Sequence, residues 1–173
     1  MTATAQPTAW EIAAGVPDPE LPMVTLADLG ILRAVAVDGD AVTVTITPTY
    51  SGCPALPEMG NDLRNLLRRA GFADVTVRTQ LSPPWSSADI TAAGRRKLVA
   101  AGIAPPAAST AAVGTGRVRG PVALSLTASP AAIGCPRCGS HRTREMSRFG
   151  TTACKALYRC LACAEPFEYV KDI

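Results

Sequence analysis

The chain has 173 residues, of which 47% are hydrophobic and 18% are charged, with a formal net charge of +3. Such a chain forms one ordinary domain or a medium domain with a small one, and its composition excludes an intrinsically disordered protein. The N-terminal stretch has no basic residue before Arg33 and no apolar core, and no run is long enough to span a membrane. We therefore expect a cytoplasmic protein with reduced cysteines, available for metal or thiol chemistry.

Residues 1–104 are predicted to form a two-layer α+β domain with the element order α–β–β–α–β–α. In Val42–Ile46 apolar residues alternate with threonine, as in a half-buried strand, and the preceding Asp38-Gly39-Asp40 predicts a hairpin turn. The strand after the long helix should run parallel to its predecessor, because right-handed crossovers prevail. The predicted helices cover 9–14 (capped by Thr8 and Glu11), 25–29, 54–70 and 87–101 (capped by Ser86), and the predicted strands cover 31–37, 42–46 and 74–79.

The longest predicted helix, over 54–70, has an apolar face that should pack on the sheet. Its apolar residues recur at spacings of three and four, the period of an amphipathic helix. Gly71 is expected to end the helix in a left-handed conformation. The residues predicted to share the buried face are Leu56, Met59, Leu63, Leu66, Leu67 and Ala70.

A single cysteine, Cys53, stands just before this helix in the stretch TPTYSGCP. Pro54 suits the first helical position, so the sequence predicts Cys53 as the N-cap. A helix N-terminus favours the thiolate, which predicts a lowered pKa for Cys53. Thr49 adds a hydroxyl in the same loop. The alternative is a small buried cysteine that only packs, since free cysteine is among the most buried residue types.

The C-terminal part is predicted to be a small four-cysteine module. Residues 105–132 are rich in proline, alanine and glycine and indicate a linker, with a short strand at Val122–Leu126. Residues 133–173 contain the pattern C-x2-C-x21-C-x2-C, made by Cys135, Cys138, Cys160 and Cys163. Four thiolates suit a structural, tetrahedral Zn²⁺, which predicts a zinc ribbon, although rubredoxin-like iron uses the same ligands.

For two further residues of the module, Cys154 and His141, a role in metal or redox chemistry is one of two interpretations. Cys154 has no CxxC partner, so it is either a spare thiol or an accessory ligand or redox thiol. His141 is the only histidine of the chain, and the four cysteines already complete a metal site without it. A cysteine–histidine catalytic pair would need Cys53 to meet a residue of the other module, which argues against hydrolase chemistry.

Several longer motifs resemble known families. Three of them are similar to the iron–sulfur assembly domain of cytosolic cluster-targeting and SUF-associated proteins: Asp18-Pro-Glu-Leu-Pro22, Asp28-Leu-Gly30 and the TPTYSGCP stretch. Others resemble the D-subunit family of phenylacetate degradation, called PaaD or PaaJ: Gly102-Ile-Ala-Pro-Pro106, CPRC, FGTTACKALYRC and Glu165-Pro-Phe167.

This resemblance implies a non-catalytic assembly protein, a maturation factor for the multicomponent phenylacetyl-CoA oxygenase. It implies that Cys53 is the functional thiol, with Asp18 and Thr49 beside it, and that iron or an iron–sulfur cluster passes through in transit. The implied partners are subunits of the oxygenase or its reductase and the iron–sulfur assembly machinery. One cysteine per chain also suggests a homodimer that shares a cluster between two copies of Cys53.

Two other classes of function stay open at the level of sequence. A basic zinc ribbon could bind nucleic acid through Arg137, Arg142, Arg144 and Arg148, but only Phe149 and Tyr158 are available there to stack on bases. A thiol-exchange enzyme could use Cys53 if its thiol is acidic. Salt-dependent binding would indicate the first class, and turnover of a small disulfide would indicate the second.

Overall fold

The computed structural model describes residues 7–50, 52–106 and 133–171. None of the helices in these ranges has the length and hydropathy needed to cross a membrane. The elements in chain order are α1 (Ala9–Ala14), β1 (Leu32–Asp38), β2 (Ala41–Ile46), α2 (Leu56–Arg69), β3 (Asp74–Thr79), a 3-10 helix (Ser87–Asp89), α3 (Ala92–Ala100), β4 (Ile103–Ala104), β5 (Thr143–Ser147), β6 (Lys155–Cys160) and β7 (Pro166–Val170).

The first sheet has the order β1-β2-β3. Its β1–β2 pair is antiparallel and its β2–β3 pair is parallel, as the sequence predicts. Along β2 the alternation is strict, with Val42, Val44 and Ile46 buried and the residues between them half-buried. These side chains form the main core with α1 and α2. The predicted α+β fold class is confirmed.

The apolar face of α2 is narrower than predicted. Met59, Leu63 and Leu67 are buried on the sheet, whereas Leu66 is 37% exposed and Ala70 is also exposed. Leu66 lies at the margin of the 3.6-residue stripe, whereas Ala70 is the C-cap residue at which the helix ends. Gly71 follows the helix with a φ of +104°, the predicted left-handed cap.

Two predicted helices are wrong in extent. Residues 25–29 form one hydrogen-bonded turn, in which the carboxylate of Asp28 accepts from the Thr25 amide (3.0 Å) before Gly30 redirects the chain into β1. The helix predicted from Ser86 to 101 is interrupted at Ile90, which is extended. There the Asp89 carboxylate accepts from Ser86 and pairs with Arg33 at 2.9 Å, so a new helix starts after Thr91.

The second sheet has the order β4-β7-β6-β5 and joins the two parts of the chain. Its strands β5, β6 and β7 come from the C-terminal module, which we call the ribbon (residues 133–171). Ile103 and Ala104, which end the first domain, pair in parallel with β7, and Val170 of β7 lies in the core of the first domain. The division at residues 104 and 133 stays a prediction, and the strand predicted at 122–126 lies outside the described residues.

Gly30 is a position where only glycine fits the turn. It has a φ of +69°, and a Cβ there would lie 2.4 Å from the carbonyl oxygen of Asp89. Gly39 also has a positive φ, of +56°, but a Cβ there would meet no atom within 4 Å. We expect Gly39→Ala to lower the free energy of unfolding by about 1 kcal/mol and Gly30→Ala by roughly 3 kcal/mol. Denaturant unfolding of both variants measures this, and equal losses would contradict it.

Candidate functional site

The loop between β2 and α2 carries Cys53, but not as a helix cap. The helix begins at Leu56, its N-cap is Ala55 without a side-chain hydrogen bond, and Pro57 occupies its first turn. Cys53 instead closes a turn in which its amide donates to the Tyr50 carbonyl at 3.1 Å. The N-cap prediction is therefore wrong. Proline fits the first turn of a helix because its missing N–H has no partner there, and Pro57 takes that role in place of Pro54.

Cys53 lines a small, partly open cavity of about 20 Å³ between the first domain and the ribbon. The cavity brings together residues that are far apart in the sequence, from the turn after α1 to the residue that follows β7. Its thiol, hydroxyl and carboxyl groups are those of Asp18, Glu20, Thr49, Cys53 and Cys154. A larger, open cavity of about 310 Å³ adjoins it and shares Thr49 and Trp85 as walls.

Asp18 is a fixed, buried carboxyl group in this cavity wall. It is 4% exposed, and its Oδ1 accepts from the amides of Glu20 (2.9 Å) and Leu21 (2.8 Å). Burial raises the pKa of Asp18, although these two amides act in the opposite direction. The turn that holds it is closed by the Pro17–Thr25 bridge, so Asp18 and Glu20 are presented together.

Cys154 enters the same cavity from the ribbon. It is 8% exposed, and its thiol donates to the Glu20 carboxylate across the interface at 3.5 Å. The thiol also lies 3.1 Å from the Thr152 hydroxyl, and the Cys154 carbonyl accepts from the Lys171 amide at 2.9 Å. Burial raises the pKa of the Cys154 thiol; Thr152 lowers it, and the charge of Glu20 raises it.

The thiol of Cys53 is less acidic than the sequence predicts. It is 8% exposed, and this burial raises its pKa. The amides of Ala55 and Leu56 lower the pKa, but the charges of Glu20 and Asp18 raise it. The prediction of a lowered pKa is therefore wrong, because the sequence reveals a helix start, whereas the burial of the thiol and the charge of Glu20 beside it follow only from the fold.

We expect the alkylation rate of Cys53 to report a pKa above the ordinary value of about 8.5. Removing the negative charge of Glu20 stabilises the thiolate, so Glu20→Gln should lower this pKa and speed alkylation at neutral pH. Peptide-resolved mass spectrometry after iodoacetamide treatment across pH measures the rate. A Cys53 that titrates below the ordinary value would contradict this electrostatic account.

The four cysteines of the CxxC pairs meet at the opposite end of the ribbon. Their sulfur atoms all lie within 4.8 Å of one another, with Cys135 to Cys163 at 3.8 Å and Cys138 to Cys160 at 3.6 Å. A tetrahedral Zn²⁺ with Zn–S bonds of about 2.3 Å places sulfurs about 3.8 Å apart, so this donor set fits such an ion. The group contains no histidine, so His141 is not one of these ligands.

The backbone around this cluster favours thiolates. The amides of Cys163 and Ala162 point at the Cys160 sulfur at 3.5 and 3.4 Å, and together with neighbouring sulfurs they lower the pKa of Cys160 to about 6. The Ser140 backbone lowers the pKa of Cys138, but burial and hydrogen bonds with the other sulfurs raise it to about 12. Cys154 is not part of the cluster, because it precedes β6 whereas Cys160 ends it. Strand residues rise about 3.3 Å each, which separates the two by about 20 Å. The ribbon thus presents two separate sulfur sites.

Glu20 is the site residue that sequence reasoning did not single out. Glu20 belongs to the Asp18-Pro-Glu20 motif, which could have drawn attention to it in the sequence. Only the fold shows that its carboxylate reaches the Cys154 thiol. Lys155 was also missed. Its buried ammonium pairs with Glu168 at 2.8 Å and acts electrostatically on both Asp18 and Cys154. Nothing in the sequence around Lys155 indicates this electrostatic role.

Comparison with known proteins identifies both parts of the chain. Residues 10–78 match the family described as iron-sulfur cluster assembly protein, and residues 119–171 match the PaaD zinc beta ribbon domain. The chain is 35% identical over 71 residues, 40% of its length and 80% of the relative, to the Fe-S protein maturation auxiliary factor SufT of Staphylococcus aureus. A domain of unknown function, DUF59, from Bacillus anthracis superposes with a TM-score of 0.48 and 26% identity, covering 52% of this chain and 87% of that one.

The most extensive of these similarities runs along nearly the whole chain. It is 40% identical over 164 residues to a protein of Escherichia coli K12 described as the D component of 1,2-phenylacetyl-CoA epoxidase. The match covers 95% of this chain and 91% of that protein, so it includes both the first domain and the ribbon. The chain therefore belongs to the PaaD family, that of the phenylacetyl-CoA epoxidase D components.

Proposed function

We propose that this protein is a cytoplasmic accessory factor that delivers iron, as an ion or in a cluster, to the multicomponent phenylacetyl-CoA oxygenase. The observation that carries the proposal is the cavity that Cys53 lines together with Asp18, Glu20, Thr49 and Cys154. Sequence similarity to an epoxidase component and to a maturation factor supports the same proposal. The clients would be subunits of the oxygenase or its reductase, and the donor would be the iron–sulfur assembly machinery.

The chemistry of the cavity suits a carrier. A thiolate binds iron strongly enough to accept it, and few fixed protein ligands allow it to leave again. Because Cys53 is a protonated thiol at rest, an arriving cation would displace its proton, and a returning proton would favour release. A homodimer that shares a cluster between two copies of Cys53 would require this part of the molecule to open, since Cys53 is only 8% exposed.

The four-cysteine cluster has a different role in this proposal. Its ligand set is complete and leaves no open position, so the ion, most simply Zn²⁺, would stabilise the ribbon and would not react. The ribbon in turn presents Cys154 to the cavity. The cluster thus contributes to iron handling only by keeping the ribbon folded.

The two other classes of function fit the geometry less well. Thiol exchange needs a thiolate at neutral pH, whereas burial raises the pKa of both Cys53 and Cys154. Stacking on single-stranded nucleic acid uses free aromatic rings, but Tyr158 packs its ring on Phe167 and Tyr169, at 6.0 and 5.5 Å. Phe149 is 70% exposed, with the Lys171 ammonium over its ring at 5.0 Å.

An iron-transfer assay tests the proposal. The purified full chain, with its ribbon metal retained, is loaded with iron under anaerobic conditions and mixed with iron-free oxygenase. We expect iron to move to the oxygenase and restore its activity, and Cys53→Ser to transfer at no more than the rate of free iron. Equal transfer by wild type and Cys53→Ser would overturn the proposal.

A further inference from the structure

We infer that one end of the second sheet is a docking surface for an acidic face of the client oxygenase. The surface, which we call the arginine patch, consists of Arg142, Arg144, Arg159 and Leu161, all of them exposed. This inference rests on the proposed function and names the surface by which the client is held, whereas the chemistry at Cys53 does not depend on it.

The register of β5 and β6 places the four residues of the patch on one face of the sheet. Arg144 pairs directly with Arg159 across these antiparallel strands. The Leu161 amide donates to the Arg142 carbonyl at 2.7 Å, which continues the same ladder two residues further on. Residues two apart in a strand lie on the same face. Three guanidinium groups and one apolar side chain are therefore neighbours there.

The patch has no acidic counterpart in the described parts of the chain. None of its arginines forms an ion pair with any residue that the structure describes. Glu145, which follows Arg144, lies on the other face, where its carboxylate accepts from the Tyr158 hydroxyl at 3.0 Å. The Glu168 carboxylate is paired with Lys155 at 2.8 Å. Residues 133–171 carry seven lysines and arginines against three glutamates, so the ribbon keeps an excess of positive charge.

The facing pair of arginines indicates an anionic partner. Like charges directly opposite each other in an antiparallel pair destabilise the sheet, since their Cβ atoms lie about 5 Å apart. Protection of a sheet edge explains Arg144, because β5 is an edge strand. It does not explain Arg159, because β6 is paired on both sides. The Nε of Arg159 donates to the Ala164 carbonyl at 3.1 Å, which orients the guanidinium and leaves its other N–H groups for an acceptor.

The chemistry of the patch fits an acidic protein surface. Guanidinium groups bind carboxylates through two parallel hydrogen bonds, and arginine is enriched in protein–protein interfaces. Leu161 is 52% exposed and offers an apolar contact beside these charges. Single-stranded nucleic acid is held by rings that stack on its bases, and the patch contains no aromatic residue. We therefore assign the patch to a carboxylate-bearing face of the oxygenase.

The patch lies on the face of the second sheet that packs on the first domain at its other end. On this face of β6, Lys155 pairs with Val170, which lies in the core of the first domain. Arg159 is four residues further along the strand, a distance of about 13 Å. Cys154, which precedes Lys155, lines the cavity together with Cys53. An oxygenase bound to the patch would thus lie close to the carrier cavity.

Equilibrium binding of the full chain to the purified oxygenase tests the inference. The protein keeps its ribbon metal, and the affinity is measured at low and at high salt. We expect the binding to weaken with salt. Arg144→Glu and Arg159→Glu should each weaken it at least roughly tenfold, because a reversed charge then meets the acidic face. Arg78→Glu makes the same change at an exposed position of β3 and is the matched control, which should bind like wild type.

The outcomes separate this docking surface from the proposed function. Cys53→Ser should bind the oxygenase like wild type although it does not deliver iron. Retained ribbon metal shows that the arginine variants are folded, and Arg144→Gln, which only removes the charge, should weaken binding by an intermediate factor. Unchanged binding by both glutamate variants, or no binding by wild type, would overturn the inference and leave the iron-transfer result for Cys53 untouched. Variants that lose binding to a single-stranded DNA oligonucleotide but not to the oxygenase would also overturn it.

Discussion

Cells whose only copy of this protein carries Cys53→Ser are expected to lose most phenylacetyl-CoA oxygenase activity. The loss should be at least roughly tenfold, because a serine hydroxyl cannot replace a thiolate as a ligand for iron. The protein itself should stay folded. Cys53 caps no helix, and a buried Cys→Ser exchange costs about 1–3 kcal/mol when the hydroxyl is left without a partner.

Two matched variants separate the thiol from the loop that carries it. Ala55→Ser changes a neighbouring buried position by one hydroxyl, and Glu58→Gln changes an exposed charge on the same helix; both should leave oxygenase activity intact. The amount of soluble protein in the cells must be equal for all variants. Full activity with Cys53→Ser at normal protein levels would mean that Cys53 only packs.

Loss of the ribbon metal is expected to unfold the ribbon while the first domain stays folded. The second core cluster consists of Cys135, Cys160 and Phe167 of the ribbon together with Ala104 of the first domain, so two of its four buried residues belong to the four-cysteine cluster. Burial on this scale cannot stabilise about forty residues alone. Zinc-finger peptides gain an apparent 10–16 kcal/mol or so from their metal. Cys160→Ser should therefore make residues 133–171 sensitive to protease.

Limited proteolysis together with metal analysis measures this effect. The purified wild-type chain should contain about one tightly held ion, and Cys160→Ser should lose it. Cys154→Ser is the matched cysteine control, since its sulfur lies at the other end of β6, and it should keep both the ion and the protease resistance. Wild-type protein with neither zinc nor iron, or a resistant Cys160→Ser, would contradict the account of the ribbon.

Local sequence signals predicted the parts of the fold that depend on neighbours in the chain. The alternation in β2 and the capping box of Thr8 and Glu11 are examples, since each pattern is complete within a few residues. The start of α2 was not predictable in this way. Two prolines, Pro54 and Pro57, both fit a first turn, and in the structure Pro57 takes that place.

The candidate site depends on contacts between distant segments, and there the sequence was less informative. It singled out Cys53 and Cys154, but not that both would face one cavity with Glu20. The sign of the pKa shift at Cys53 was wrong for the same reason. A helix start lowers the pKa of a thiol, but burial and two carboxyl groups from residues 18–20 outweigh it.

The iron content of the oxygenase purified from cells carrying Cys53→Ser tests the central claim most directly. Metal analysis of the oxygenase does not depend on the activity of any other component, and the same enzyme from cells carrying Ala55→Ser serves as the control. If Cys53 delivers iron, the oxygenase should be largely free of iron with Cys53→Ser and fully loaded with Ala55→Ser. Full iron loading in both would contradict a role of Cys53 in iron delivery.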